Sequence, residues 1–551
     1  MSQTISLAKY LNAVDWSVII VYLLGIIGLG VWFGRDQKNT RDYFLGSKDI
    51  PWWGIGLSIV AAETSALTII GVPAMAFGGN LAFIQLIIGY VIARIILAVV
   101  MVPHYFKGEI YSPYQLFADN LGHSARQTAA GFFLLSETLA AGVRVYVACI
   151  PIQLMLGINI LPAIILFVVL SLIYTYIGGV KAVIWTDAVQ FGLFLLGGLF
   201  TLFYIPTLFD GGASEVFKLA RAGAKLHWLN SNFSPDHGWV GWKAVLEDPI
   251  NIWMGVIGGT VMVMSSHGAE QLIVQRVLAC KTVRDGRKAL ALSAVLVFPL
   301  FLIFLLVGAM LWVYSTHKVD LSPFIPEVRP GSGIKKNDFI YPIFMLTGVP
   351  HVLKGFLIVA ILSAAMSSVS SALTSLASVS TMDFVKKMLP GKSEGFFLHF
   401  SKISTIVWAI ALIFVAYLSR EVTFVLDIAF KLRGLTSGAL LGGLFLAVFW
   451  KRGNSISVIS GMIASLAVMT YFSPIVQNLW VNGPEKSVWL EKVARYLQEH
   501  AASLKLPLAL AFPWYTALGT IVTVAVAFAV RPFTKDKGIA DSAPNLASQR
   551  G

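Results

Sequence analysis

The chain has 551 residues, 57 % of them hydrophobic and only 13 % charged, with a formal net charge of +13. That charged share is far below the roughly 25 % of soluble domains, and apolar runs of about 18 residues or more recur between positions 16 and 530, so a soluble globular class is excluded in favour of a polytopic all-α membrane protein. The basic excess sits in loops, as membrane topology and anionic-lipid contact require and nucleic-acid binding does not. The only cysteines, Cys149 and Cys280, offer no disulfide framework.

Hydropathy predicts about 13 spans, at 15–34, 50–79, 82–103, 128–156, 160–178, 183–206, 250–276, 288–316, 341–383, 401–419, 423–450, 456–474 and 511–530. Two of these, 50–79 and 341–383, are too long for a simple crossing, so each is expected to contain a break or an extension beyond the bilayer. No basic segment precedes the first span, so no cleavable signal peptide is expected. Short loops rich in Arg35, Lys38, Arg41 and Lys48, in Arg276, Lys281, Arg284, Arg287 and Lys288, and in Lys451 and Arg452 alternate with near-neutral ones at 78–80 and 157–159. The positive-inside rule then places the N-terminus outside and the C-terminus in the cytoplasm. The longer loops 207–249, 317–340 and 475–510 fall outside, and the polar tail 535–551 is expected to be disordered.

Five stretches are candidates for chemistry. The second span holds Ser58, Glu63, Thr64, Ser65 and Thr68 ahead of Gly71-Val72-Pro73. This suits either a proline kink or a discontinuous helix that offers bare carbonyls to a cation. A carboxylate such as Glu63 costs about 2.5–3.5 kcal/mol or more at that depth unless it is paired or meets water. At the junction of spans five and six, Gly178-Gly179 predicts a tight cytoplasmic turn, and Asp187 enters the membrane about a turn beyond the loop. Asp187 suits a helix cap or a pair with Lys181 as well as it suits a cation ligand. The seventh span combines Gly255, Gly258 and Gly259 with the polar run 265–271, which again predicts a mid-membrane break. His267 reads there as a hydrogen-bonded packing residue, since no partner His or Cys has ligand spacing, and Arg276 reads as an inner anchor. In the ninth span Ala364, Ser367, Ser368, Ser371 and Ser375 share one helical face, with Ser370 one residue off it. Such a face meets either a close-packed neighbour or a hard ion that wants oxygen. Lys431 and Arg433 suit snorkelling at the outer end of the eleventh span, or attraction of an anion into the outer vestibule.

Residues 174–190, the pair Ser367-Ser368 leading to Thr381-Met382-Asp383, and Gln271 with Gln275-Arg276 resemble the sodium–solute symporter family, which includes sodium-coupled sugar, sialate, proline, pantothenate and iodide carriers. The resemblance runs over roughly 15–475. It implies a leucine-transporter-like core of two inverted five-helix repeats, each with a broken first helix, over 50–206 and 250–450. A first helix and cytoplasmic loop (1–49), peripheral helices (451–534) and the tail (535–551) flank that core. It also implies alternating access driven by Na+. By position, the family's main sodium site maps onto the Ala61, Thr64 and Ala364 carbonyls and the Ser367 and Ser368 hydroxyls. A second site, found in the sialate branch, maps onto Asp187, Ser367, Ser370 and Ser371, so two sodium ions per solute are expected.

The substrate positions carried over are Glu63, Ser65, Thr68, Phe83, Ile87, Ser266, His267 and Gln271. Ser266 and His267 stand where sugar carriers have an aromatic gate and a Trp. Ala140 stands at the sialate branch's carboxylate-binding arginine, with Arg144 one turn along the same face. Glu63 would repel an anion unless Arg144, Lys431 or Arg433 neutralises it. The expectation is a sodium-coupled symporter, not an enzyme, for a sugar or an organic acid such as sialate. A small monocarboxylate, an amino acid or a vitamin is the alternative. Its partners would be sodium, solute and lipid, with no nucleic acid, and it would work as a monomer in the plasma membrane. A sensor on this scaffold would need a signalling domain, for which the tail leaves no room; a channel would leak sodium without solute.

Overall fold

Inside a bilayer no water is available to a backbone N–H or C=O, so a crossing segment must close its hydrogen bonds within one helix. The computed structural model describes residues 11–34, 39–108, 110–231, 233–234, 238–239, 242–327, 333, 335–421, 425–472 and 510–534, and helix occupies each predicted span. In chain order the main helices are α1 (Ala13–Gly34), α2 (Trp52–Glu63), α3 (Ala66–Gly78), α4 (Ile84–Val100), α5 (His123–Leu156), α6 (Ile160–Thr207), α7 (Gly259–Gly268), α8 (Gln271–Leu278), α9 (Val283–His317), α10 (Ile340–Thr347), α11 (Leu353–Val379), α12 (Glu394–Leu418), α13 (Val425–Phe449), α14 (Ser455–Phe472) and α15 (Phe512–Val530). Nine of the described helices are long and apolar enough to cross a membrane, or ten if the bent pair α2–α3 is one span. Among the described residues one two-residue ladder, Phe233–Ser234 against Gly238–Trp239, is the only sheet. The expectations for Arg35, Lys38, loop residues 475–509 and the tail 535–551 lie outside the described residues.

The breaks decide the architecture. α2 and α3 meet at a bend of 56° across Thr64 and Ser65. Thr64 leaves the helical region at φ −80°, ψ 87°, and the Ser65 side chain caps α3 by accepting from the Leu67 amide at 3.2 Å. Pro73, suspected as the kink, lies inside α3 and marks a close approach instead: a Cβ on Gly308 of α9 would sit 2.2 Å from its carbonyl oxygen. The predicted turn between spans five and six is Gly179, whose φ of 55° and ψ of −164° kink α6. The seventh span opens with a π-helical turn, Met254–Gly258, and breaks between α7 and α8, where Glu270 is extended at φ −101°, ψ 135°. The overlong ninth span resolves into short α10, a connection through Val352, and α11, with a π-helical turn Ser380–Val385 after it. α11 is buried almost end to end, whereas α1 leaves Ile20, Val21 and Leu24 exposed, as a lipid-facing helix can.

Without a hydrophobic drive between helices in lipid, close packing depends on small residues. A Cβ on Gly89 of α4 would lie 2.3 Å from the Gly255 carbonyl oxygen and 2.6 Å from the Thr260 amide, with backbone on every side. Gly89→Val is therefore expected to cost about 3 kcal/mol or more. Thermal unfolding in detergent checks this against Gly25→Val, where an added Cβ meets nothing within 4 Å and the midpoint should hold.

Candidate sodium and substrate site

Ending α2 at Glu63 frees particular oxygen atoms. The Ser65 amide, which would bond the Ala61 carbonyl if the helix continued, bonds Glu63 instead at 3.0 Å. The Thr68 amide, due to bond Thr64, bonds Ser65 at 2.9 Å. The Ala61 and Thr64 carbonyls thus lose their helical donors, and the Thr64 hydroxyl is fully buried with no hydrogen-bond partner. α11 packs against both α2 and α3. One carboxylate fixes that pairing: Asp187 Oδ2 accepts from the Ser58 hydroxyl and Oδ1 from the Ser367 hydroxyl, both at 2.6 Å. Ser368 spends its proton on the Ala364 carbonyl at 3.0 Å, which leaves its oxygen lone pairs for a cation. Neutral carbonyl and hydroxyl oxygens suit a hard ion. The chemistry of the main sodium set therefore suits that ion at Ala61, Thr64, Ser367 and Ser368, while the Ala364 carbonyl already accepts the Ser368 hydroxyl.

Asp187 does not stand alone. Arg276, read from sequence as an inner anchor, is buried at 2 % exposure and pairs with it at 2.9 Å. Lys181, the suspected partner, bonds Asp49 at 2.9 Å instead. A guanidinium at this depth cannot stay in an apolar layer without a carboxylate, and Asp187 supplies it.

The break also opens onto a cavity. Of the expected substrate residues, Glu63, Ser65, Thr68, Phe83, Arg144, Ser266, His267 and Arg433 line it, with Ala140 and Glu270 beside them. Ile87 and Gln271 do not. Gln271 instead donates to the Tyr111 carbonyl at 2.7 Å and the Ser378 hydroxyl at 3.2 Å, which ties α8 to α11. The Lys431 side chain lies outside the described residues. Arg433 does not snorkel: its Nε donates to Glu270 Oε1 at 3.0 Å and its Nη2 to Oε2.

Glu63 is neutralised by a residue the sequence reading missed. Arg94 of α4, fully buried, pairs with it, donates to the Tyr90 carbonyl at 3.0 Å and lies 3.1 Å from His267 Nε2. With Arg94 donating there, Nε2 accepts, and Nδ1–H faces the Ser266 oxygen at 2.8 Å, so the network assigns a neutral His267. Arg144 bonds Glu137 within α5 at 3.1 and 3.4 Å. Arg94, Glu137 and Glu270 were findable: each is a charge inside a predicted span, where a partner is obligatory.

Two discontinuous helices whose breaks open onto one cavity are the architecture of a secondary transporter. The chain belongs to the sodium:solute symporter family, which it matches over residues 43–465, and so is a transporter rather than an enzyme. It is 30 % identical to the sodium/sialic acid symporter SiaT of Proteus mirabilis over 82 % of this chain and 88 % of that protein. To the sodium/sialic acid symporter NanT of Aliivibrio fischeri it is 27 % identical over 98 % of each. To the sodium/glucose cotransporter of Vibrio parahaemolyticus the identity is 27 %, over 84 % of this chain and 86 % of that one. The solved structure of a Na+-coupled sialic acid symporter in a substrate-bound outward-open state superposes with a TM-score of 0.77 at 24 % identity, over 95 % of this chain and 98 % of that one. The fold is thus the leucine-transporter-like one implied by the broken helices.

Proposed function

We propose that this protein carries a small organic solute inward with sodium by alternating access, the solute being a sugar or an organic acid such as sialate. The observation that carries the reading is the set of oxygens at the α2–α3 break, the Ala61 and Thr64 carbonyls and the orphaned Thr64 hydroxyl, on two helices that both pack against α11, the helix that carries Ser367 and Ser368. Sodium bound there pins α2 against α11 and shapes the adjoining cavity. Solute then favours closure, and low internal sodium releases the ion. In this reading thirteen crossings put the N-terminus outside and the C-terminus in the cytoplasm of a plasma-membrane monomer. The inverted repeats are 50–206 and 250–450, between the leading segment 1–49 and the peripheral helices 451–534, with 535–551 as the cytoplasmic tail.

Among the solutes, the cavity favours an acid. Arg433 is 22 % exposed against 2 % for its partner Glu270, and Arg144 is 10 % exposed against 1 % for Glu137, so in each pair the guanidinium is the more accessible partner. Glu63 is the exception at 13 %, an acceptor for a hydroxyl or amine on the same solute. The sialic acid symporters among its relatives support the same choice. Purified protein in liposomes with an imposed sodium gradient, offered sugars, carboxylates, amino acids and vitamins, tests the reading. Sodium-dependent acid uptake is expected, and Arg433→Gln should lower its kcat/KM at least about tenfold with sodium half-saturation little changed. Uptake indifferent to sodium would overturn the function. Uptake of neutral sugars alone would overturn the acid.

A further inference from the structure

The oxygens mapped to a second sodium ion already surround a cation. Arg276 of α8 donates to Asp187 Oδ2 at 2.9 Å, to Ser58 Oγ at 2.8 Å, to the Leu272 carbonyl at 2.5 Å and to Ser371 Oγ. Both Asp187 oxygens also accept serine hydroxyls, and Ser370 turns inward to the Ser367 carbonyl at 3.0 Å. Asp187, Arg276, Ser58, Ser367 and Ser371 are all buried. A sodium ion added here would put two positive charges beside one carboxylate in a low-dielectric core, and their repulsion rises steeply as solvent is excluded. Moving the guanidinium aside would cost it the Asp187 counter-charge and its two serine acceptors while it stays among buried neighbours such as Leu272, Ile273 and Val277. The residues do not fit a second ion.

We propose that Arg276 is a tethered replacement for the second coupling ion, so that this chain binds and carries one sodium per cycle. The guanidinium then does fixed structural work, joining α2, α6, α8 and α11 through one carboxylate and three serines. The proposal rests on the sodium-symport reading and has energetic consequences. One sodium ion moving down 100 mV and a tenfold gradient supplies about 2.3 plus 1.4 kcal/mol. That concentrates a neutral solute a few hundredfold. With a monoanion the cycle is electroneutral and only the sodium concentration ratio drives it.

Equilibrium binding of radioactive sodium to the purified full-length protein, read as ions per chain at saturation, tests it. Wild type should bind one ion, and Ser368→Ala should bind it roughly ten- to a hundredfold more weakly. Arg276→Gln frees Asp187 and should bring the ratio to two. Should that variant fail to fold, Asp187→Asn combined with Arg276→Gln replaces the pair by two neutral amides, and the ratio should remain one. Two ions on wild type, or a ratio of zero in the double variant with its fold intact, overturns the proposal alone. A folded wild type that binds no sodium overturns the symport reading with it.

Discussion

Ser368→Ala is expected to raise the sodium concentration for half-maximal uptake by roughly ten- to a hundredfold, with a smaller change in solute half-saturation measured at saturating sodium. The magnitude follows from deleting one oxygen ligand of a charged species, worth about 1.5–3 kcal/mol, at 1.4 kcal/mol per decade. Ser375→Ala supplies the contrast. It lies on the same stripe, is equally buried and donates to the Ala372 carbonyl at 3.0 Å, but stands two turns away from Ser368 and outside the cation set. If the stripe served only close helix packing, both alanines would behave alike. If it also holds sodium, Ser368 alone shifts the titration. Equal effects, or tight solute binding by wild type without sodium, would refute the site.

Much of this was legible in the sequence, for reasons that differ from residue to residue. Span positions follow from hydropathy because a bilayer allows little else, and the breaks in the second and seventh spans were signalled by polar and glycine-rich runs inside apolar ones. Pro73 misled as to where the first break falls. A proline's local effect can be absorbed within a helix, whereas the Ser65 cap and the non-helical Thr64 are set by tertiary surroundings that a linear pattern does not contain. The charges show the same divide. That Glu63 and Asp187 need partners was certain from depth alone, but which cations answer depends on helix packing across 31 residues for Arg94 and 89 for Arg276. Arg276 illustrates the cost of reading a charge near a predicted span end as an anchor. The break in the seventh span turns α8 inward and carries the guanidinium to the protein core rather than to the interface.

Glu63→Ala is expected to destabilise the protein by about 3–5 kcal/mol, because it leaves the Arg94 guanidinium fully buried without a counter-charge. The converse change, Arg94→Gln, should cost less, since the Glu63 carboxylate borders the cavity and keeps some access to water. Replacing the two together by Gln removes both charges while keeping hydrogen-bonding groups, and should recover much of the loss. The asymmetry is the informative part. Were Glu63 held there only as a solute ligand, its removal would spare the fold and damage uptake alone. If instead the pair is structural and Glu63 offers the cavity its remaining acceptor capacity, stability falls first and uptake falls with it. Unfolding midpoints of the three variants in sodium-containing detergent separate the cases, and a Glu63→Ala midpoint equal to wild type would show that the Tyr90 carbonyl and His267, which already accept from Arg94, suffice to hold it.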